Sequence, residues 1–248
     1  MPSESFSVNL SAIDEERFGI RSARATYVTL ETLPSLMDFC RKNSVVFLIA
    51  RCLSTEIHAV QEMEREGFLL MDTLICYKFD LKKTPIPPDE GKIIIRPFQP
   101  GEEDVVRATA TDSFREYYGH YHSDKRLDRA KCDEVYSSWA YRSCTLSDVA
   151  NEVLVADEKG SILGFASLRA TAPEEVEWNC GGVVPSAHRK GVFRSLCIHS
   201  LKWALSQGAN CMVQSTVIPN LGVQKTWLRL GFEPTHAFYT FHKWFDEQ

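Results

Sequence analysis

An α/β fold, with a central mixed sheet flanked by helices, is what this 248-residue chain predicts. Three observations carry that expectation. Apolar runs of strand spacing alternate with helical spacing along the whole length. A strand ending Val183-Val184-Pro185 passes through a basic turn, His188-Arg189-Lys190-Gly191-Val192-Phe193, straight into a helix. The order helix, Gly-Phe, strand occurs twice, at Gly67-Phe68 and at Gly231-Phe232.

Taken in order, the pattern predicts a strand near Ala23 to Leu30, a helix near Leu33 to Arg41, the strand Val45 to Ala50 and a helix near Thr55 to Glu66, then Gly67-Phe68 and a long strand to Asp80. Thr84-Pro85-Ile86-Pro87-Pro88-Asp89-Glu90-Gly91 breaks the pattern, because proline removes a backbone donor and glycine favours a turn. The boundary is placed there, giving a small α/β domain over 1–84 and a larger one over 92–248. The larger one is expected to hold the strand Lys92 to Pro97, the helix Glu102 to Phe114, an aromatic loop and the helix Leu127 to Ser143. A hairpin follows, Glu152 to Ala156 with Ile162 to Leu168 around Asp157-Glu158-Lys159-Gly160, and then the strand Glu174 to Val184. Last come a helix from about Lys190 to Gln207 closed by Gly208, the strand Cys211 to Ile218, Asn220 as an N-cap, a helix carrying Val223, Trp227 and Leu230 on one face, and a final strand. The repeated Gly-Phe order points to the first domain as a truncated relative of the second.

The stretch from Glu174 to Phe232 reads as a grip for a nucleotide thioester. Backbone N–H groups at the start of a helix have no carbonyl partner and can face a diphosphate, with the helix dipole and the Arg189 and Lys190 charges adding to the field. Phe193, Leu196, Cys197, Leu201 and Ala204 form its apolar stripe. Cys180-Gly181-Gly182 interrupts the preceding strand, as a bulge would, and would part it from its neighbour. Pantetheine amides could pair along the parted strand as an added strand does.

Here the chain resembles the GNAT superfamily of N-acyltransferases, whose pattern is Val-x-Pro followed by Arg/Gln-x-x-Gly-x-Gly/Ala at a helix start, and later Asn-x-x-Ala-x-x-x-Tyr before Gly-Phe. His188 stands at the Arg/Gln place, Arg189 comes one later, and Phe193 replaces the last small residue. Trp227 stands where the family often has a Tyr that protonates the departing thiolate; indole donates a hydrogen bond but is no acid near neutrality. The resemblance implies a V-splayed mixed sheet preceded by the smaller α/β domain. It implies acyl-coenzyme A as co-substrate, held by Val183, Val184, His188, Arg189, Lys190, Gly191, Val192, Phe193, Asn220 and Trp227, with no metal.

Glu16-Arg17-Phe18-Gly19-Ile20-Arg21-Ser22-Ala23, Gly67-Phe68 and the segment Phe114 to Trp139 look like the bacterial N-acyltransferases acting on dTDP-linked amino-dideoxyhexoses for surface polysaccharides. That implies acetyl or 3-hydroxybutanoyl transfer to a sugar amine, and a homodimer. Aromatic faces stack pyranose and thymine rings, so Tyr117, Tyr118, Tyr121 and His122 are the expected substrate platform, with Arg126 and Arg115 for the diphosphate. Each tyrosine could equally pack under the following helix. His120 and His122 form H-x-H without a third ligand at metal spacing.

For the chemistry, the backbone N–H of Val184 or its neighbour at the bulge is the expected oxyanion donor, and Glu177 the expected base, directly or through water. Residues alternate along the last strand, so Tyr239 and His242 face opposite ways; Tyr239 is taken as the acid and His242 is its rival. Positioning alone could also carry the reaction.

A formal charge of -5 gives no global field for nucleic acid or anionic membrane. Eight cysteines without C-x-x-C pairs fit reduced thiols, and the polar, acidic start shows no leader, so a cytoplasmic protein is expected. Two other functions stay open. One is a non-catalytic acyl-CoA sensor, motivated by Trp227; the other is acylation of a peptide or small free amine.

Overall fold

The computed structural model describes residues 5–245 and shows one ten-stranded sheet with helices on both faces. The first half comprises β1 (Ser7–Leu10), α1 (Ala12–Phe18), β2 (Ser22–Thr26), α2 (Leu33–Lys42), β3 (Phe47–Leu53), α3 (Ile57–Arg65) and β4 (Leu69–Asp80). The second opens with β5 (Ile94–Pro97), α4 (Glu103–Ser113), the short α5 (His120–Ser123) and α6 (Arg129–Thr145). It continues with β6 (Glu152–Glu158), β7 (Ser161–Ala172), β8 (Glu175–Val183), α7 (Val192–Ser206), β9 (Cys211–Val217), α8 (Leu221–Leu230) and β10 (Glu233–Trp244).

The strands lie in the order β1-β2-β3-β10-β4-β9-β8-β7-β6-β5. Each half thus gives its last strand to the other: β10 pairs antiparallel with β3, and β4 pairs antiparallel with β9. The donated strands also pair with one another at the centre, with Tyr239 opposite Thr73. The six strands from β2 to β8 in that order read the same from either end once β2, β3 and β4 are exchanged with β8, β9 and β10. The echo at the two Gly-Phe pairs has its structural counterpart in that symmetry, for β2–α2–β3–α3–β4 and β8–α7–β9–α8–β10 follow one path, with β2∥β3 and β8∥β9 the parallel pairs.

Local chemistry explains where elements start later than their patterns suggested. The Asp128 carboxylate accepts the Lys131 N–H at 3.0 Å as an N-cap, so α6 begins at Arg129 rather than Leu127. Arg189 and Gly191 both have positive φ, 64° and 81°, which no helix tolerates, so α7 begins at Val192 rather than Lys190. Lys159 and Gly160, at φ 54° and 87°, make the two-residue hairpin turn between β6 and β7. β1 and α1 escaped the pattern reading: both are short, and α1 is mostly polar, burying Phe18 and Asp14.

Two large cores follow from this layout. One lies under α7 and α8, with Leu196, Leu201, Trp227, Phe232 and Phe79; the other lies under α2 and α3, with Leu36, Met63, Phe68 and Phe241. The proline-rich link is tied down on α7, where Ser195 Oγ donates to Asp89 at 2.9 Å and Arg194 to the Pro88 carbonyl at 3.2 Å. No helix among the described residues is long and apolar enough to cross a membrane.

Strand exchange makes residues 1–84 part of the second half's own sheet. A chain of residues 92–248 would leave the outer edge of β9 unpaired along Cys211–Val217 and strip both neighbours, β3 and β4, from β10, and unpaired edges seek other strands. It is expected to aggregate or self-associate on size-exclusion chromatography, and to regain a monomer-sized, cooperative melt only when co-expressed with residues 1–84. A stable monomeric 92–248 would refute the exchange.

Candidate functional site

β8 and β9 pair in parallel only as far as Trp178 opposite Gln214; beyond it the two strands part. Three features of β8 mark the parting. The register with β7 slips between Trp178 and Cys180, leaving Asn179 as a bulge, one residue before the expected place. A Cβ on Gly181 would fall 2.3 Å from the Trp178 indole nitrogen, and one on Gly182 would fall 2.8 Å from Ser113 Cβ. Both positions therefore require glycine.

A cleft of about 1250 Å³ opens at this parting and runs to the start of α7. Of the residues expected to hold a co-substrate, Val183, Val184, His188, Arg189, Gly191, Val192, Phe193 and Asn220 line it, whereas Lys190 does not. A narrower inner end of about 100 Å³ continues between the strands, bounded by Phe114, Tyr117, Tyr136, Asn179, Thr216, Asn220 and Trp227 among others. Phe193 packs on Trp178 at 5.5 Å, which makes it a wall between cleft and core. Trp227 borders this inner end; its indole N–H is buried without a hydrogen-bond partner, near the Cys197 thiol, a weak acceptor.

Several expected roles are corrected by the geometry. The Val184 N–H is already committed to the Leu163 carbonyl at 2.9 Å, so it is no oxyanion donor. His188 Nε2 turns back to the Val183 carbonyl at 2.9 Å. Asn220 stands at the N-cap of α8, but its side chain donates to Thr216 Oγ1 at 3.0 Å instead of capping. Glu177 does not line the cleft; it sits in the paired part of β8 and holds Arg169 at 2.9 Å. Tyr239 is turned to the α2–α3 core, on the face opposite His242, and meets no part of the cleft.

The aromatic segment divides in the same way. Tyr117 lines both the cleft and its inner end, edge-on to Tyr136 at 5.0 Å; burial raises its phenol above the ordinary value and the Asp72 carboxylate adds to the rise. Tyr118 is exposed, with the Arg129 guanidinium 5.7 Å over its ring. Arg126 lies 3.9 Å over Trp244, and His122 is buried against Asp133 at 3.1 Å. Tyr121 is buried too, its hydroxyl donating to Asp14 at 2.7 Å, while Asp14 takes both Ser11 and a bidentate Arg24. These three bind protein and Tyr118 does not line the cleft, so the platform read from the sequence shrinks to Tyr117.

One arrangement that no sequence motif marked lies on the same face of the sheet. His242 Nδ1 meets Asp124 Oδ2 at 2.8 Å, the Trp244 indole donates to the same oxygen at 2.9 Å, and His242 Nε2 meets His120 Nδ1 at 2.9 Å. Burial alone would raise the Asp124 carboxyl, but donors from His242, the Arg126 backbone and Trp244 outweigh it and hold it below its ordinary value. Among the described residues no cluster of three or more His, Cys, Asp or Glu could hold a metal ion.

The family model for the Acetyltransferase (GNAT) family matches residues 108–232, half of the chain. A curated relative, the spore coat polysaccharide biosynthesis protein SpsD of Bacillus subtilis, is 22% identical over 148 residues, covering 60% of this chain and 50% of that protein. The chain thus spans about half the length of the curated relative it matches. Among solved structures, a GCN5-related N-acetyltransferase from Sphaerobacter thermophilus superimposes with a TM-score of 0.67 at 15% identity, over 96% of this chain and 76% of that one. A tandem GNAT protein from the clavulanic acid biosynthesis pathway gives 0.60 at 12% identity, over 93% and 77%. At such identities the likeness speaks for the fold.

Asp14 fixes α5 to the sheet, and its removal can be read by pH. Burial pushes its carboxyl up, but Arg24, Ser11 and Tyr121 together hold it below the ordinary value. A depressed folded pKa adds stability that is present above the unfolded value of about 3.9 and is lost as pH falls through the folded one. Asp14→Asn is expected to cost about 1–3 kcal/mol at pH 7, less than a fully buried pair because Arg24 is 47% exposed. The gap from wild type should narrow as pH falls below about 4, which urea unfolding at pH 7 and pH 3 would measure.

Proposed function

Because the chain belongs to the Acetyltransferase (GNAT) family, we propose that it moves an acyl group from coenzyme A to the amino group of a sugar carried on a nucleotide, of the dTDP-amino-dideoxyhexose class. The observation that carries the transfer is the cleft itself. It joins a helix start in left-handed backbone, suited to diphosphate, to a gap between two parted strands, suited to pantetheine. The thioester would then reach the inner end beside Tyr117 and Trp227.

The protein's own groups divide the work by position. Arg189 and Arg194 border the cleft at the start of α7 and add charge where a diphosphate would rest. Gly181 and Gly182 let the cofactor-side backbone approach without a Cβ in the way. Trp227 borders the inner end and brings a buried N–H without a hydrogen-bond partner, a donor for the thioester oxygen or the departing sulfur should the indole meet them. A thiol of ordinary pKa, about 8.5, leaves without a strong acid, so an indole in place of a phenol does not disable the site.

A carbohydrate acceptor is supported by the relative whose printed name places it in spore coat polysaccharide biosynthesis. Tyr117, the exposed Arg115 on its Asp112 partner and the α4–α5 connection border the cleft on the acceptor's side.

Incubating the protein with acetyl-CoA or 3-hydroxybutanoyl-CoA and a panel of dTDP-amino-dideoxyhexoses should release free thiol and add an acyl mass to one sugar. Tight CoA binding with no thiol release on any sugar, peptide or small amine would overturn acyl transfer. Thiol release only with a peptide or a free amine would overturn the sugar assignment. Trp227→Phe is expected to lower kcat about 10–10³-fold with the affinity for CoA within about threefold of wild type, by steady-state kinetics and calorimetry.

A further inference from the structure

Outside the cofactor cleft, the sheet face beneath α5 carries two features that the proposed reaction has not used. The first is the chain Asp124–His242–His120. The Trp244 indole can only donate, and it donates to the same Asp124 oxygen that meets His242 Nδ1; that oxygen is therefore an acceptor, and His242 Nδ1 carries a proton. In a neutral His242, Nε2 then has a lone pair and takes the Nδ1–H of His120. The remaining nitrogen of His120, Nε2, is left without a proton, and no described residue hydrogen-bonds to it. Asp124 and the geometry thus fix a base two imidazoles away.

The second feature is a row of unpartnered polar atoms. Arg51 on β3, Thr240 on β10 and Asp72 on β4 face one another in register, on the face that His242 shares by alternation. Arg51 Nε, Thr240 Oγ1 and Asp72 Oδ1 are buried, and none has a hydrogen-bond partner. Thr240 is 0% exposed. A buried unpaired polar atom costs about 1–3 kcal/mol, so three in one row mark a place built for something else. Donor, hydroxyl and carboxylate in sequence suit a polyhydroxylated amine.

The row adjoins the cleft through Tyr117, which stands three residues before His120, lines the inner end and feels the Asp72 charge. The charged and titratable groups facing His120 are His242 from β10, Arg51 from β3, Arg24 from β2 and His122 from its own helix; burial first, and then the repulsion a proton on His120 would meet from these groups, hold it well below its ordinary value. Tyr121 stacks at 4.0 Å from its ring.

We propose that this seam is the acceptor subsite of the acyl transfer, with His120 Nε2 the catalytic base and Arg51, Thr240 and Asp72 the groups that seat a hydroxylated amine. The proposal rests on the acyltransferase reading. As the amine nitrogen forms its bond to the carbonyl carbon, its proton passes to His120 Nε2, and the His120 Nδ1 proton passes to His242 Nε2. The positive charge comes to rest beside Asp124, which makes His242 and Asp124 positioning residues. The C–S bond breaks with its electron pair on sulfur, and the relay returns its proton to the thiolate or to solvent.

Two measurements on the full chain test this. In ¹⁵N-histidine NMR at pH 8, His120 should be the Nδ1–H tautomer, assigned by its loss in His120→Gln; a protonated Nε2 would overturn the relay. With the sugar nucleotide that turns over, His120→Gln should lose about 10²–10⁴-fold in kcat/KM while its acetyl-CoA affinity stays within about twofold. Retention of more than a third of kcat/KM would overturn it. Asp124→Asn should lower kcat without raising the acceptor KM, and Thr240→Val should raise the acceptor KM about tenfold with kcat little changed; an unchanged acceptor KM in Thr240→Val would remove the docking row. Failure of every amine to react would count against acyl transfer itself, and the tautomer alone would then decide the relay.

Discussion

The antiparallel contact between β4 and β10 is the constraint on which the rest of the molecule depends. Both strands come last in their halves, and each completes the sheet of the other half. β9 therefore has its outer edge paired to β4 from Leu74 to Asp80, which leaves its inner edge free to separate from β8 beyond Gln214 without fraying. A strand anchored along one side can open on the other. The same contact brings Arg51, Thr240 and Asp72 side by side from three distant segments, so the cleft and the polar row are two consequences of one pairing.

The two sides differ in how readily a sequence announces them. The cofactor side is built within one short stretch, 178–193, and its causes are local: glycines that no side chain could replace, a proline after the strand and a left-handed turn before the helix. Most of its lining was legible for that reason. Lys190 and the Val184 N–H were misplaced because the turn at Arg189 and Gly191 delays the helix, and because a strand hydrogen bond to Leu163 depends on a neighbour that spacing does not specify.

The acceptor side depends on register between strands far apart in the chain. Alternation correctly sets Tyr239 and His242 on opposite faces, but it cannot say which face meets α5, and that choice decides which of the two matters. Tyr121 and His122 looked like stacking surfaces because their partners were invisible: Asp14 lies in a helix too polar to read as one, and Asp133 lies on a helix whose packing angle the sequence does not give. The echo of the Gly-Phe pairs was legible, whereas the exchange of strands it leads to was not. A sheet completed by its own last strand and one completed by its twin's have identical local patterns.

Electrostatics divides along the same line. At the start of α7 the basic residues stay exposed, where water and salt screen them, and this suits a ligand that brings its own strong charge and is held chiefly by backbone. Beneath α5 the carboxylates are buried and held by donors: Asp14 by the half-exposed Arg24, Asp124 by His242 and Trp244. In so low a dielectric a lone proton on His120 would be costly, whereas the same proton passed on to His242 sits against an anion already held in place by two donors. The second histidine lets a base stay neutral at the reacting end and store the charge one ring away. That separation follows from period-two alternation on β10, which sets His242 within reach of Asp124 and His120 together, and so from the strand exchange that put β10 there.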